Sequence, residues 1–154
     1  MDWDAIGAFS EILGAFAVVV SLIYVAVQVK QSNRQAATDT GFALMSEFSR
    51  VDELILTTPD IIALMIKLES DEELTDEERK RSEHFAMRLM NNWMQADIAH
   101  ENGLLDPELY KDLIGDARHN MTSYPQLKKI FLNLFENYPR IKGMNIFRAA
   151  FEDE

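Results

Sequence analysis

Cysteine is absent from this chain of 154 residues, which excludes a disulfide framework, a zinc site built on thiolates and a cysteine nucleophile. Also missing are a glycine loop that could cradle phosphate, a nucleophile elbow and a paired-histidine metal motif. No internal repeat, low-complexity tract or convincing strand pattern interrupts the sequence. Positive charge is scarce as well. Fifteen Lys and Arg stand against 26 Asp and Glu, giving a formal charge of −11. Such a surface repels phosphate, which disfavours nucleic acid as a partner.

The acidity is uneven. Residues 69–83 hold eight acids against Arg79, Lys80 and Arg81. A local exception runs through Lys128, Lys129, Arg140, Lys142 and Arg148, read here as a solvated face near that acidic stretch.

What the sequence does contain is one long apolar run. Residues 5–29 would span roughly 37 Å as a helix, enough to cross a hydrocarbon core of about 30 Å. Ser10, Glu11, Ser21 and Gln28 are its clearly polar members. A secretory signal would start with basic residues, whereas Asp2, Trp3 and Asp4 stand here. A soluble core helix would keep a polar face, and residues 12–27 have none. The expectation is a single transmembrane helix, residues 1–30, ahead of a helical domain, residues 31–154. Lys30 and Arg34 follow the run closely, so positive-inside asymmetry expects the N-terminus outside, with Trp3 as an interfacial anchor, and the domain in the cytoplasm.

The residues Gly7, Glu11, Ile12, Leu13, Gly14, Ala15, Ala17–Val18–Val19–Val20–Ser21–Leu22–Ile23–Tyr24, Ala26, Gln28 and Gln31 form a GEIxGAxAVVxSLxYxAxQxxQ-type motif. It resembles the opening of a family of uncharacterised bacterial single-pass membrane proteins with a helical cytoplasmic domain. Ser10 replaces the glycine usual before the glutamate. The stretch Asn102-Gly103-Leu104-Leu105-Asp106 is similar to a turn in the same family. The resemblance implies placement in a bacterial inner membrane and carries no activity with it.

The remainder reads as all-α, about five to six helices. Ala37, Gly41, Leu44, Phe48, Val51 and Ile55 alternate at four and three, one face of a helix over residues 31–56. Thr58-Pro59-Asp60 reads as a cap and first turn for a helix over residues 61–68. Thr75 and Glu78 make a capping box for a central helix that Gly103 stops. Phe85, Leu89, Trp93 and Ala96 form one apolar stripe on it, and Met87, Met90, Met94 and Ile98 a second. Pro107, Pro125 and Pro139 open three more helices, the last running through Ile141, Met144, Phe147 and Phe151.

Candidate sites are few. Asp116 and His119 share a helix face, with His100-Glu101 nearby in sequence, but a helical metal site would repeat such a pair on a second helix. No metal or cofactor is expected. His84, Arg88, Asn91 and Gln95 form a polar stripe on the central helix, with Asn92 beside it, and could line a ligand pocket. In the membrane run, Gly7, Ser10, Gly14, Ala17 and Ser21 recur at three and four, bordered by Glu11: a small-residue face for helix–helix contact. The leading expectation is therefore a non-enzymatic, membrane-tethered module that associates with itself or with other inner-membrane proteins. Alternatives are a small ion-conducting oligomer with Glu11 near the pore, and a ligand sensor using the Arg88 stripe.

Overall fold

The computed structural model describes residues 3–70 and 72–151. Asp2, Asp71 and residues 152–154 lie outside the described residues, as do the side chains of Trp3 and Asp4. Seven helices and no strand occur among the described residues: α1 (Trp3–Thr57), α2 (Ile61–Leu68), α3 (Asp76–Glu101), α4 (Pro107–Ser123), α5 (Pro125–Asn137), α6 (Pro139–Lys142) and α7 (Asn145–Phe151). The chain divides into two compact units, Met1–Ala36 and Ala37–Glu154.

In the first unit α1 meets no proline, and the large apolar side chains among the described residues are exposed. Phe9, Ile12, Phe16 and Leu22 are all more than half exposed. The most apolar window has a mean hydropathy of 2.4 and is 0 % buried. A soluble core helix would be largely covered. This helix is long and apolar enough to cross a membrane.

The second unit is a helical bundle with one core. Leu44 and Val51 of α1 enter it, with Phe48 and Ile55 packed alongside, on the face that the spacing predicts. Pro59 is where sequence and structure part. It disfavours helical backbone at Thr58 and so ends α1, instead of opening α2. The α2 helix begins at Ile61 behind Asp60, whose side chain makes no cap bond. The Thr58 carbonyl accepts the Ile61 N–H at 3.1 Å.

The central α3 starts as expected. Thr75 Oγ1 accepts the Glu78 N–H at 3.2 Å, and Glu78 Oε2 accepts the Thr75 N–H at 2.9 Å. The other Glu78 oxygen accepts from Lys67 Nζ at 2.7 Å, tying the end of α2 to the start of α3. At the far end Gly103 takes φ 67°, the left-handed backbone that glycine adopts without strain. There the Gly103 and Leu104 N–H groups bond the His100 and Ala99 carbonyls at 2.9 and 2.8 Å, which closes the helix in a Schellman arrangement.

The α3 helix packs against α4, α5 and α7, and α4 against α7. Trp93, 1 % exposed, anchors an aromatic cluster: its ring lies 5.6 Å from Phe131 and 6.2 Å from Phe147. Of the second α3 stripe Met90 is buried, Met87 and Met94 are half-buried, and Ile98 is exposed. The single last helix expected after Pro139 is instead two, α6 and α7, broken at Gly143 and Met144.

Candidate functional site

On α1, Gly7, Ser10, Glu11, Gly14, Ala17 and Ser21 are all exposed. At 100° per residue they fall within an arc of about 120°, with Phe16 on the opposite side of the helix. A methyl group placed on Gly7 or Gly14 would meet nothing within 4 Å. Ser21 Oγ donates to the Ala17 carbonyl at 2.8 Å, so its hydroxyl is satisfied within the helix and adds no polar demand to the face.

His84, Asn91 and Gln95 are exposed and Arg88 is half-buried, so this face of α3 meets water. Polar periodicity alone does not separate a solvated face from the wall of a cavity. The neighbouring Asn92 is the buried member, and its Nδ2 has no hydrogen-bond partner among the described residues.

A carboxylate that the spacing did not single out is the most deeply buried acid. Asp97 is 0 % exposed. It accepts the Tyr110 hydroxyl from α4 and the backbone N–H groups of Asn145 and Ile146, the latter two at 3.1 and 3.2 Å. Those two amides open α7, so Asp97 acts as the N-cap of a helix that begins 48 residues later. This cap explains the break after α6: a continuous helix would have no amides to offer it. Burial, reinforced by the hydrogen bond and negative charge of Asp97, holds the Tyr110 phenol well above its usual value. His100 stacks on Tyr110 with ring centroids 3.9 Å apart. The group is a latch between α3, α4 and α7. With Tyr110 held neutral and every Asp97 contact a structural one, it offers no nucleophile.

The pair Asp116 and His119 is also reassigned. Asp116 accepts the Trp93 indole N–H at 3.0 Å and the Asn120 amide at 3.1 Å, while His119 is exposed beside Ser123. No grouping of three metal-binding side chains exists among the described residues. Burial pushes the Asp116 carboxyl up, and the negative Asp52 adds to this against the lowering effect of its hydrogen bonds and His119.

Asp116 sits at the edge of a cleft of about 480 Å³ within the second unit. Phe48 and Ile55 of α1, Met65 of α2, Leu89 of α3, and Leu113 of α4 supply apolar walls. Asp52, Asp112, His119, Asn120 and Tyr124 supply polar groups. A smaller cavity of about 370 Å³ is lined by Phe135, Phe147 and Phe151 together with Lys128, Lys142 and Arg148, which gathers part of the basic stretch beside apolar rings. Lys128 Nζ lies 6.0 Å from the Phe151 ring centroid. Compared with protein-family models, curated proteins and solved structures, the chain matches none of them.

Proposed function

We propose that this chain is a membrane-tethered helical module that assembles with copies of itself. The observation that carries the reading is the apolar window of α1, with mean hydropathy 2.4 and 0 % burial. So much uncovered apolar surface is costly in water and neutral in lipid. The positive residues Lys30 and Arg34 after the run support a cytoplasmic domain and an outer N-terminus. The likeness of the opening motif to bacterial membrane proteins supports an inner-membrane location.

Within lipid, hydrophobicity does not join helices, because acyl chains are as apolar as leucine. Close backbone approach does, through dispersion and hydrogen bonds. The open face at Gly7, Gly14 and Ala17 supports such an approach. Glu11 borders that face, where its carboxylate is shielded from lipid by a neighbouring helix, the usual refuge of an ionisable group in a membrane. The absence of native cysteine makes the test clean. Cysteine is placed at Gly14 on the face and, in a separate chain, at Phe16 opposite it. Mild oxidation in native membranes should give efficient dimer at position 14 and little at 16. Equal yields, or none at either, would remove the basis of the assembly reading.

A further inference from the structure

We propose that the cleft between α1, α3 and α4 binds a small organic cation with an apolar body, an aryl- or alkylammonium. In this assignment Asp52 and Asp112 hold the charge, and Phe48, Leu89 and Leu113 enclose the body. The proposal does not depend on assembly through the membrane helix, since every residue of the cleft belongs to the second unit.

Size and lining come first. About 480 Å³ lies within the range of pockets for small molecules, and four helices contribute walls, which makes a concavity instead of a flat helix face. A lining of mainly apolar side chains with a few polar groups at one side is the usual composition of such a site. Phe48, Phe85 and Tyr124 add ring surfaces to which a cation is attracted.

Charge then decides the class. Asp52 and Asp112 are exposed, and neither makes a salt bridge with Lys or Arg among the described residues. Asp116 brings a third carboxyl to the same cleft, and His119 is the basic side chain that faces it. An anionic ligand would be repelled here and by the formal charge of −11 over the whole chain. A bare metal ion finds no set of three ligands. A neutral apolar molecule would use the walls alone and leave the exposed carboxylates to water, forgoing the charge attraction. An ammonium on an apolar body satisfies the carboxylates and the walls together.

Methionine methyl groups report on this site directly. Met65 lines this cleft, Met45 lines both it and a neighbouring cavity beside Gly41 and Phe42, and Met144 lies in a different one, so a shift at Met65 is the decisive signal. The full chain, labelled with methyl-13C methionine in lipid nanodiscs, is titrated with benzylamine, hexylamine and tryptamine. The neutral 3-ethylindole and the anionic indole-3-propionate are titrated in parallel. The expected result is a saturable shift of the Met45 and Met65 signals with at least one amine, with Met144 unmoved. The neutral and anionic indoles should need at least about tenfold higher concentration, consistent with the loss of two partly exposed charge pairs. A chain carrying Asp52→Asn and Asp112→Asn should keep its helical circular dichroism and bind that amine roughly five- to tenfold more weakly. No saturable shift with any amine would overturn the proposal. Equal affinity for 3-ethylindole, or undiminished binding by the double variant, would overturn it too. Saturation by a basic amphipathic peptide in place of all three amines would make the cleft a protein-docking groove, and would count against it.

Discussion

Asp97 carries more structural consequence than any other single side chain outside the apolar core. A buried carboxylate is tolerable only when its lone pairs are filled, and here Tyr110, Asn145 and Ile146 fill them. Removing the acceptor strands the Tyr110 hydroxyl and the Ile146 N–H in the interior and leaves the Asn145 N–H unpaired at its margin. Asp97→Ala should therefore destabilise the domain by about 3 kcal/mol or more, the cost of unsatisfied buried groups. Tyr110→Phe removes one donor and leaves Asp97 with two, so it should cost only about 1–2 kcal/mol. Chemical denaturation of both variants and of the double variant checks this. The effects should fall short of additive, because the two side chains share one bond. An Asp97→Ala chain as stable as the parent would mean that α7 finds its cap elsewhere. Asp97 was illegible in the sequence for a physical reason. At 100° per residue it falls between Trp93 and Met90 on the apolar face of α3, where a lone carboxylate reads as an interruption of the pattern, and two of its partners are backbone amides that no sequence pattern advertises.

Among the elements, local signals were readable and distant ones were not. Thr75 with Glu78, Asp106 with Pro107, and Gly103 each act within one turn of themselves, and each does what its spacing expects. Asp106 Oδ1 accepts the Glu108 and Leu109 N–H groups at 2.9 and 3.2 Å. Pro59 is also local, but a proline fits either the end of one helix or the start of the next, and the reading of it as the start of α2 takes the wrong one of the two. The split of the last helix into α6 and α7 depends on Asp97, a residue far away in the chain, so periodicity ran straight through it. The polar stripe at His84, Arg88, Asn91 and Gln95 is ambiguous for a different reason, since water satisfies such residues as well as a ligand does.

The α2–α3 junction gives the pH prediction at this scale. Hydrogen bonds from Lys67 first, and from the Thr75 backbone next, lower the Glu78 carboxyl from 4.5 to about 2. The folded value lies below the unfolded one, so the contribution is present in full above 4.5 and disappears as pH falls toward 2. Thermal melts of the parent and of Glu78→Gln should thus differ near neutrality and converge through that acid window. A constant difference down to the lowest pH would show that the ionised Glu78 adds nothing beyond its shape. Lys67 reports the same bond from the other side, its ammonium raised by Glu78.

The whole molecule is two compact units of different surface character, and the dividing line has a testable position. The first unit offers only an exposed apolar helix. The second holds all the residues of the buried core, from Leu44 to Ala150. Its composition explains why an acidic chain with few basic residues folds at all: most charges lie on exposed or half-buried faces, Asp97 being the fully buried exception with its acceptors filled, while Trp93, Phe131 and Phe147 close the interior. It follows that residues 37–154 should suffice for a soluble, cooperatively melting domain once the apolar run is removed. Cutting further should fail sharply. A chain of residues 58–154 loses Leu44 and Val51 from the core, and Phe48 and Ile55 from its margin. Each lost core side chain costs about 2–5 kcal/mol when truncated to alanine, so losing several exceeds the stability of a small domain. Circular dichroism and melting of the two truncated chains separate the outcomes. The longer should retain helical signal with one transition, and the shorter should be unfolded or aggregated. Equal melting of both would mean that the second half of α1 is a connector and not part of the core. Failure of the longer chain alone to dissolve would show that residues before Ala37 complete the fold.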